Sequence, residues 1–138
     1  MKILIAGNLG YIGPSVVTQL RRTYPEAELV GFDMGYFSHC ITNVHFMPEI
    51  RLNQQVYGDI RKFPEEILKG VDAIVNLAAI SNDPMSVRFE EMTLDINYRS
   101  AVNLAKLAKR NGVKSYVYAS SCSMYGLADD TERREGDK

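Results

Sequence analysis

The chain has 138 residues, which is enough for one compact domain with a buried core and short for a two-domain enzyme. Its apolar fraction of 46%, charged fraction of 24% and net charge of −1 are ordinary for a globular protein and give no cationic surface for nucleic acid or anionic lipid. No apolar run approaches the roughly 18 residues of a membrane span, and residues 1–6 are too short for a signal peptide, so we expect a cytoplasmic protein.

Short β-branched apolar runs alternate with helical patterns, which is typical of an α/β fold with a parallel sheet covered by helices. Residues 3–6 predict a first strand that is buried on both faces. A helix follows, and Pro14 fits its first turn, where no backbone donor is lost. The apolar residues of this helix recur at helical spacing and are Ile12, Val16, Val17 and Leu20. Residues 29–32 predict a second strand and residues 55–57 a weaker third, whereas the stretch between them has no clear period and predicts loop.

The second half of the chain continues the alternation. Residues 65–69 predict a brief helix closed by Gly70, and residues 73–77 predict a fourth strand. A long helix then ends at Asn111 and Gly112, and its buried side is marked by Leu94, Ile96, Ala101, Leu104, Ala105 and Ala108. Residues 116–120 predict a fifth strand. Residues 127–138 are mostly charged and predict a solvated or disordered tail, which leaves residues 1–126 as the folded domain.

Three glycines join the first strand to the first helix. Gly7 and Gly10 tolerate unusual backbone angles and close approach of a ligand, and Gly13 allows the helix to pack tightly on the strand. A pyrophosphate can then reach the N-terminus of the helix, where backbone N–H groups are unpaired. Three glycines also occur in loops for turn reasons alone, so this motif by itself leaves both interpretations open.

Asp33 favours the nucleotide interpretation. It lies twenty residues after Gly13, at the end of the second predicted strand. There a carboxylate can accept hydrogen bonds from the adenosine ribose hydroxyls and would repel a 2′-phosphate, so NAD is favoured over NADP. The alternative is that Asp33 only caps the turn after the strand.

Five motifs occur along the chain in a fixed order. After residues 7–13 and Asp33 come Gly58-Asp59-Ile60, Asn76-Leu77-Ala78-Ala79 and the segment from Ser120 to Gly126. In this order they resemble the N-terminal part of the extended short-chain dehydrogenases/reductases of the nucleotide-sugar epimerase/dehydratase group. The resemblance runs from Lys2 to about Gly126. It implies a Rossmann-type doubly wound parallel sheet of strand order 3-2-1-4-5, with the phosphate-binding turn at the end of the central first strand.

The resemblance also implies a set of NAD-binding residues. The turn contributes the three glycines together with Tyr11 and Ile12. By the same resemblance Asp59 bonds the adenine amine, and Ile60 presents its backbone beside the ring. The remaining predicted cofactor residues line the dinucleotide or lie near its nicotinamide end, and they are Leu77, Ala78, Ala79 and Asn97. Without the resemblance, Asn97 would be taken as a surface or helix-bonding amide.

The serine-rich segment carries the predicted catalytic residues. Alignment on Tyr125 and Gly126 places Ser121 at the position of the family's catalytic Ser/Thr, although a serine cluster after a strand is often turn chemistry. Dehydratases of the family carry acidic residues just after that position, where this chain has Cys122 and Ser123. The Ser-x-Ser-x-Tyr-Gly form is more similar to the sugar epimerases, with Ser121 and Ser123 as catalytic residues. A reductase or dehydratase relative is the alternative.

The chain departs from the family in one further respect. No tyrosine is followed four residues later by a lysine, whereas the relatives carry a Tyr-x-x-x-Lys pair beyond the serine motif. We therefore expect a chain that lacks the family's C-terminal part and is inactive alone, from a parent epimerase that binds a nucleotide sugar and can form a homodimer. A non-catalytic nucleotide-binding module is the other interpretation. Cys40 and Cys122 have no metal-ligand spacing, so we expect reduced thiols and no metal site.

Overall fold

The structure is a computed structural model that describes residues 1–36, 51–81, 83–121 and 134. Its centre is a five-stranded parallel sheet of order β3-β2-β1-β4-β5, as the sequence predicts. The strands are β1 (Lys2–Ala6), β2 (Glu28–Asp33), β3 (Gln54–Tyr57), β4 (Ala73–Asn76) and β5 (Ser115–Tyr118). This is the doubly wound Rossmann arrangement, in which the order of the strands reverses next to the first strand.

The register brings the carboxyl ends of the strands to one edge of the sheet. Ala6, the last residue of β1, pairs with Phe32 on one side and with Asn76 on the other. Asp33 pairs with Tyr57 at the end of β3, and Asn76 pairs with Tyr118 at the end of β5. Loops that leave these ends therefore meet at a single edge, which is where open parallel sheets bind ligands.

Each face of the sheet has its own apolar core because successive side chains of a strand point to opposite faces. Leu4 and Ala6 lie in one cluster with residues of β2, β4 and the last helix. Ile3 and Ile5 lie in the other, against the first helix. The strand β1 is buried on both sides, as its uninterrupted apolar run predicts.

The helix α1 (Gly13–Thr23) follows the first turn of the chain. Pro14 occupies its first turn. Arg21 and Arg22 lie in its last turn, where the negative end of the helix dipole stabilises positive charges. Val16 and Leu20, one turn apart, are the partly buried residues that pack on the second core cluster. The predicted helical spacing is therefore confirmed for Val16, Val17 and Leu20, whereas Ile12 precedes the helix and is 56% exposed.

The prediction of one continuous long helix is wrong. This part of the chain consists of α2 (Asp83–Arg88), α3 (Glu90–Leu94), a π-helical segment Asp95–Ser100 and α4 (Ala101–Arg110). Ala101, Leu104 and Ala108 are buried as expected, but Leu94 is 42% exposed. A π-helical turn holds more residues than an α-helical one, so it shifts the buried face out of register with the residues that precede it.

Smaller differences concern the ends of elements. The fourth strand ends at Asn76 and the fifth spans Ser115–Tyr118, each shorter at its carboxyl end than predicted. The predicted helix before Gly70 is a 3-10 helix, Glu65–Leu68, and the φ of Gly70 is +73°. Such ends are the least defined features of a sequence pattern. Both cysteines, Ser123 and the predicted tail, apart from residue 134, lie outside the described residues.

Within the described ranges no helix is long and apolar enough to cross a membrane. The same ranges contain no group of three or more His, Cys, Asp and Glu side chains that could hold a metal ion.

Candidate functional site

In the turn between β1 and α1, neighbouring backbone atoms lie so close to two of the glycines that a larger residue would clash with them. Gly7 has a φ of +83°, and its N–H donates to the Phe32 carbonyl at 2.8 Å. A Cβ atom on Gly7 would lie 2.6 Å from the backbone nitrogen of Ala78, and one on Gly13 would lie 2.1 Å from the carbonyl oxygen of Asn8. Gly10 is less constrained, because its Cβ would meet only the Gly7 carbonyl, at 3.3 Å.

Backbone donors are available at the start of α1. The N-cap residue Ile12 gives no side-chain cap, and the first turn contains no acidic residue. Among the hydrogen bonds of the described residues, none starts from the backbone N–H of Tyr11 or Ile12. Their side chains are 81% and 56% exposed. Unpaired N–H groups at the positive end of a helix dipole suit an anion, so this turn fits a pyrophosphate.

Asp33 ends β2 beside this turn. Its Oδ2 accepts a hydrogen bond from the Leu9 N–H at 3.0 Å, and its Oδ1 accepts one from the Gly35 N–H at 2.8 Å. A carboxylate has about four lone-pair sites, and the two hydrogen bonds from described residues leave acceptor capacity for ligand hydroxyls. The bond to Gly35 matches the turn-capping interpretation, and the bond to Leu9 links the carboxylate to the glycine turn, so the two sequence interpretations are compatible.

Asp59 and Ile60 follow β3, at the same edge of the sheet. The Asp59 carboxylate accepts hydrogen bonds from the backbone N–H of Arg61 at 2.9 Å and from its guanidinium Nε at 2.9 and 3.0 Å. The side-chain hydrogen bond to Arg61 lowers the pKa of Asp59, and partial burial opposes this only in part. Ile60 is buried in the first core cluster and fixes the start of a 3-10 helix, Ile60–Lys62.

The stretch after β4 is held by a buried asparagine that the sequence patterns did not single out as functional. Asn76 is 1% exposed, and its Oδ1 accepts from the Ala78 N–H at 3.1 Å. Its Nδ2 donates to the Tyr116 hydroxyl at 3.0 Å, which in turn donates to the Ala101 carbonyl at 3.2 Å. Burial raises the pKa of Tyr116. An amide at the end of an otherwise apolar strand is the signal that could have identified this anchor.

Asn97 lies in the π-helical segment and bonds the chain after β4. Its Oδ1 accepts from the Ile80 N–H and its Nδ2 donates to the Ile80 carbonyl, both at 2.8 Å. Its own carbonyl accepts from the Tyr118 hydroxyl at 3.0 Å. The amide therefore ties the helix to the stretch that contains Leu77, Ala78 and Ala79, and its role toward a cofactor stays a prediction.

Ser121 is exposed and lies three residues after the end of β5. It therefore follows the carboxyl end of β5, which belongs to the same sheet edge as the ends of β1 and β2. Ser123, the second predicted catalytic residue, is outside the described residues.

Arg61→Gln should raise the pKa of Asp59 toward its ordinary value, because the guanidinium hydrogen bond is the largest cause of the lowering. A lowered pKa keeps the carboxylate charged to lower pH, so the variant should lose that charge earlier as the pH falls. Titration of the Asp59 carboxyl by NMR measures this. Lys62→Gln is the control, since Lys62 acts on Asp59 only through charge and weakly. Equal shifts in the two variants would contradict the assignment.

Taken together, the fold and the carboxyl edge define a nucleotide-binding domain of the Rossmann class. A sequence model of the family described as "NAD dependent epimerase/dehydratase family" matches residues 3–138, and the chain belongs to that family. The cofactor of the family is accordingly NAD.

The relatives of this chain include both an epimerase and a dehydratase, the two kinds of enzyme in the family's name. The chain is 30% identical over 138 residues to UDP-glucose 4-epimerase of Streptococcus mutans, an alignment that covers 98% of this chain and 40% of that protein. It is 27% identical over 132 residues to dTDP-glucose 4,6-dehydratase of Streptomyces niveus, covering 91% of this chain and 39% of that protein. The chain therefore spans about two fifths of the length of these relatives.

The fold is also found in solved structures. MoeE5 in complex with UDP-glucuronic acid and NAD superimposes with a TM-score of 0.81 at 25% identity, covering 99% of this chain and 42% of that one.

Proposed function

We propose that this chain is the NAD-binding part of a nucleotide-sugar epimerase. The observation that carries the proposal is the glycine turn, where Gly7 lies against Ala78 and Leu9 donates its N–H to the Asp33 carboxylate. Among the described residues the next backbone amides, those of Tyr11 and Ile12, have no hydrogen-bond acceptor. An arrangement of this kind suits a dinucleotide, since the amides suit a pyrophosphate and the carboxylate suits a ribose diol. Membership of an NAD-dependent family and the NAD bound in MoeE5 support the same ligand.

The residues divide by the part of the cofactor that each would hold. The turn from Gly7 through Gly10 to Gly13 would receive the pyrophosphate, and Asp33 would accept hydrogen bonds from the ribose. Asp59 and the backbone of Ile60 would hold the adenine. The other end of the cofactor would lie against the residues after β4, namely Leu77, Ala78 and Ala79, a stretch that Asn76 and Asn97 anchor at either end.

The reaction requires that the hydroxyl at one sugar carbon is reversibly oxidised to a carbonyl. When bound, NAD supplies a site that accepts and returns a hydride. The hydroxyl of Ser121 would hold the sugar oxygen by a hydrogen bond while that oxygen changes between hydroxyl and carbonyl. An unassisted serine keeps its proton at neutral pH, so it cannot be the base, and a second group must take the hydroxyl proton. That the 138-residue chain alone has no turnover stays a prediction.

Dehydration is the second candidate, because a 4,6-dehydratase matches nearly as well as the epimerase. Expulsion of water needs a general acid, and Cys122 and Ser123 are poor proton donors at the positions where the family's dehydratases carry acidic residues. The test is NMR of UDP-glucose incubated with NAD and the longest form of the protein that contains this chain. Formation of UDP-galactose supports the epimerase, and formation of a 4-keto-6-deoxy sugar refutes it.

We expect NAD to bind on the order of tenfold more tightly than NADP, because Asp33 presents a like charge to the 2′-phosphate. Asp33→Ser should weaken NAD and remove most of the discrimination. Calorimetric titration with each dinucleotide measures both effects. Glu26→Gln is the control, since Glu26 is an exposed acid before the opposite end of β2. Tighter binding of NADP by the unaltered protein would contradict the role of Asp33.

A further inference from the structure

A pair of amide side chains lies beneath the glycine turn, and one of the two, Gln55, is only partly buried. The side chain of Asn8 is fully buried, and its Nδ2 donates to Gln55 Oε1 at 2.6 Å. Gln55 Nε2 donates back to Asn8 Oδ1 at 3.4 Å and also donates to the Val56 carbonyl at 3.1 Å. The pair joins the turn after β1 to β3, two strands away in the sheet.

The intervening strand makes room for this pair. Gly31 of β2 stands in register with Ile5 of β1 and Gln55 of β3. A Cβ atom on Gly31 would lie 2.5 Å from Gln55 Oε1 and 2.6 Å from Asn8 Nδ2. The φ of Gly31 is not positive, so it is the contact with the two amides, and no turn geometry, that favours glycine at this position.

The backbone of Asn8 belongs to the turn itself. Gly13, the first residue of α1, packs against it so closely that a Cβ there would meet the Asn8 carbonyl. The next residue, Leu9, donates its N–H to Asp33. A shift of Asn8 would therefore move the start of the helix and the turn amides together.

We propose that the Asn8–Gln55 amide pair is a positioning device that holds the turn in the conformation that binds the cofactor pyrophosphate. The inference rests on the proposed NAD binding. Asn8 and Gln55 would affect that binding through the position of the turn. The pair favours one geometry because Asn8 is fully buried, and any other geometry would leave its amide unpaired. The fixed turn then binds the pyrophosphate with little further loss of conformational freedom.

The test measures dissociation constants for NAD and for adenosine, which lacks the pyrophosphate. Asn8→Ala and Gln55→Ala should each weaken NAD on the order of tenfold and leave adenosine within about twofold, the range expected for losing one coupled interaction. The double variant should resemble either single one, because the two side chains act as one unit. Gln54→Ala, the exposed neighbour on β3, is the control and should change neither ligand.

Gly31→Ala provides a second perturbation that leaves both amides in the chain. It should produce the same selective loss of NAD affinity, and it replaces Asn8→Ala if that variant does not fold. Equal weakening of NAD and adenosine would show a general structural role, and unchanged NAD binding would show no role; either result overturns the inference. Absence of NAD binding by the unaltered protein would instead refute the proposed function.

Discussion

Gly7→Ala should cost about 3 kcal/mol of folding free energy and abolish measurable NAD binding, whereas Gly70→Ala should cost about 1 kcal/mol and leave binding intact. The two glycines have similar positive φ values, +83° and +73°, so the strain that a positive φ imposes on alanine is similar in both. Only Gly7 has a close neighbour: its added Cβ would lie 2.6 Å from Ala78 N and 2.7 Å from the Leu77 carbonyl carbon, and Gly70 has nothing within 4 Å.

The atoms near Gly7 are backbone, so they cannot move aside as the end of a side chain can. Relief of the clash must separate the turn from the end of β4, which are the two segments proposed to enclose the dinucleotide. Urea unfolding gives the stability of each variant, and calorimetric titration gives the NAD affinity. Equal losses of stability in both variants would show that glycine is required at position 7 only by its positive φ. The short distance to the Leu77 and Ala78 backbone would then have no effect.

Ser121→Ala should lower kcat for nucleotide-sugar epimerisation about 10² to 10³-fold with little change in KM, if Ser121 holds the sugar oxygen as the carbonyl forms. A bond that strengthens as charge develops contributes mainly to the transition state, so its loss appears in kcat. The measurement is steady-state kinetics with UDP-glucose, on the longest form of the protein that contains this chain.

Ser120→Ala is the matched control for that experiment. Ser120 is the exposed residue directly before Ser121, and its hydroxyl has no assigned role. The variant should retain nearly full activity. A large loss in Ser120→Ala with an active Ser121→Ala would show that the alignment on Tyr125 and Gly126 is shifted by one residue, and full activity in both would remove the serine segment from the mechanism.

Much of the fold could be predicted because the patterns that carry it are local. The uninterrupted apolar run of β1 indicates a strand buried on both faces, and Pro14 followed by apolar residues at helical spacing indicates the start of α1. The glycines of the turn and Asp33 were recognisable for the same reason, since each lies where a strand ends and its residue type matches what that position requires. The strand order was expected from the family resemblance, and it obeys the connection rules for parallel sheets.

Other features depend on contacts between residues far apart in the chain, and only the tertiary structure decided them. Asn8 and Gln55 are 47 residues apart, and they pair because β2 places a glycine between them. Asn97 reaches Ile80 because the π-helical segment turns it toward the stretch after β4. An amide side chain has no preferred partner in sequence, so its role is set by which backbone or side-chain groups the completed sheet brings within hydrogen-bonding distance.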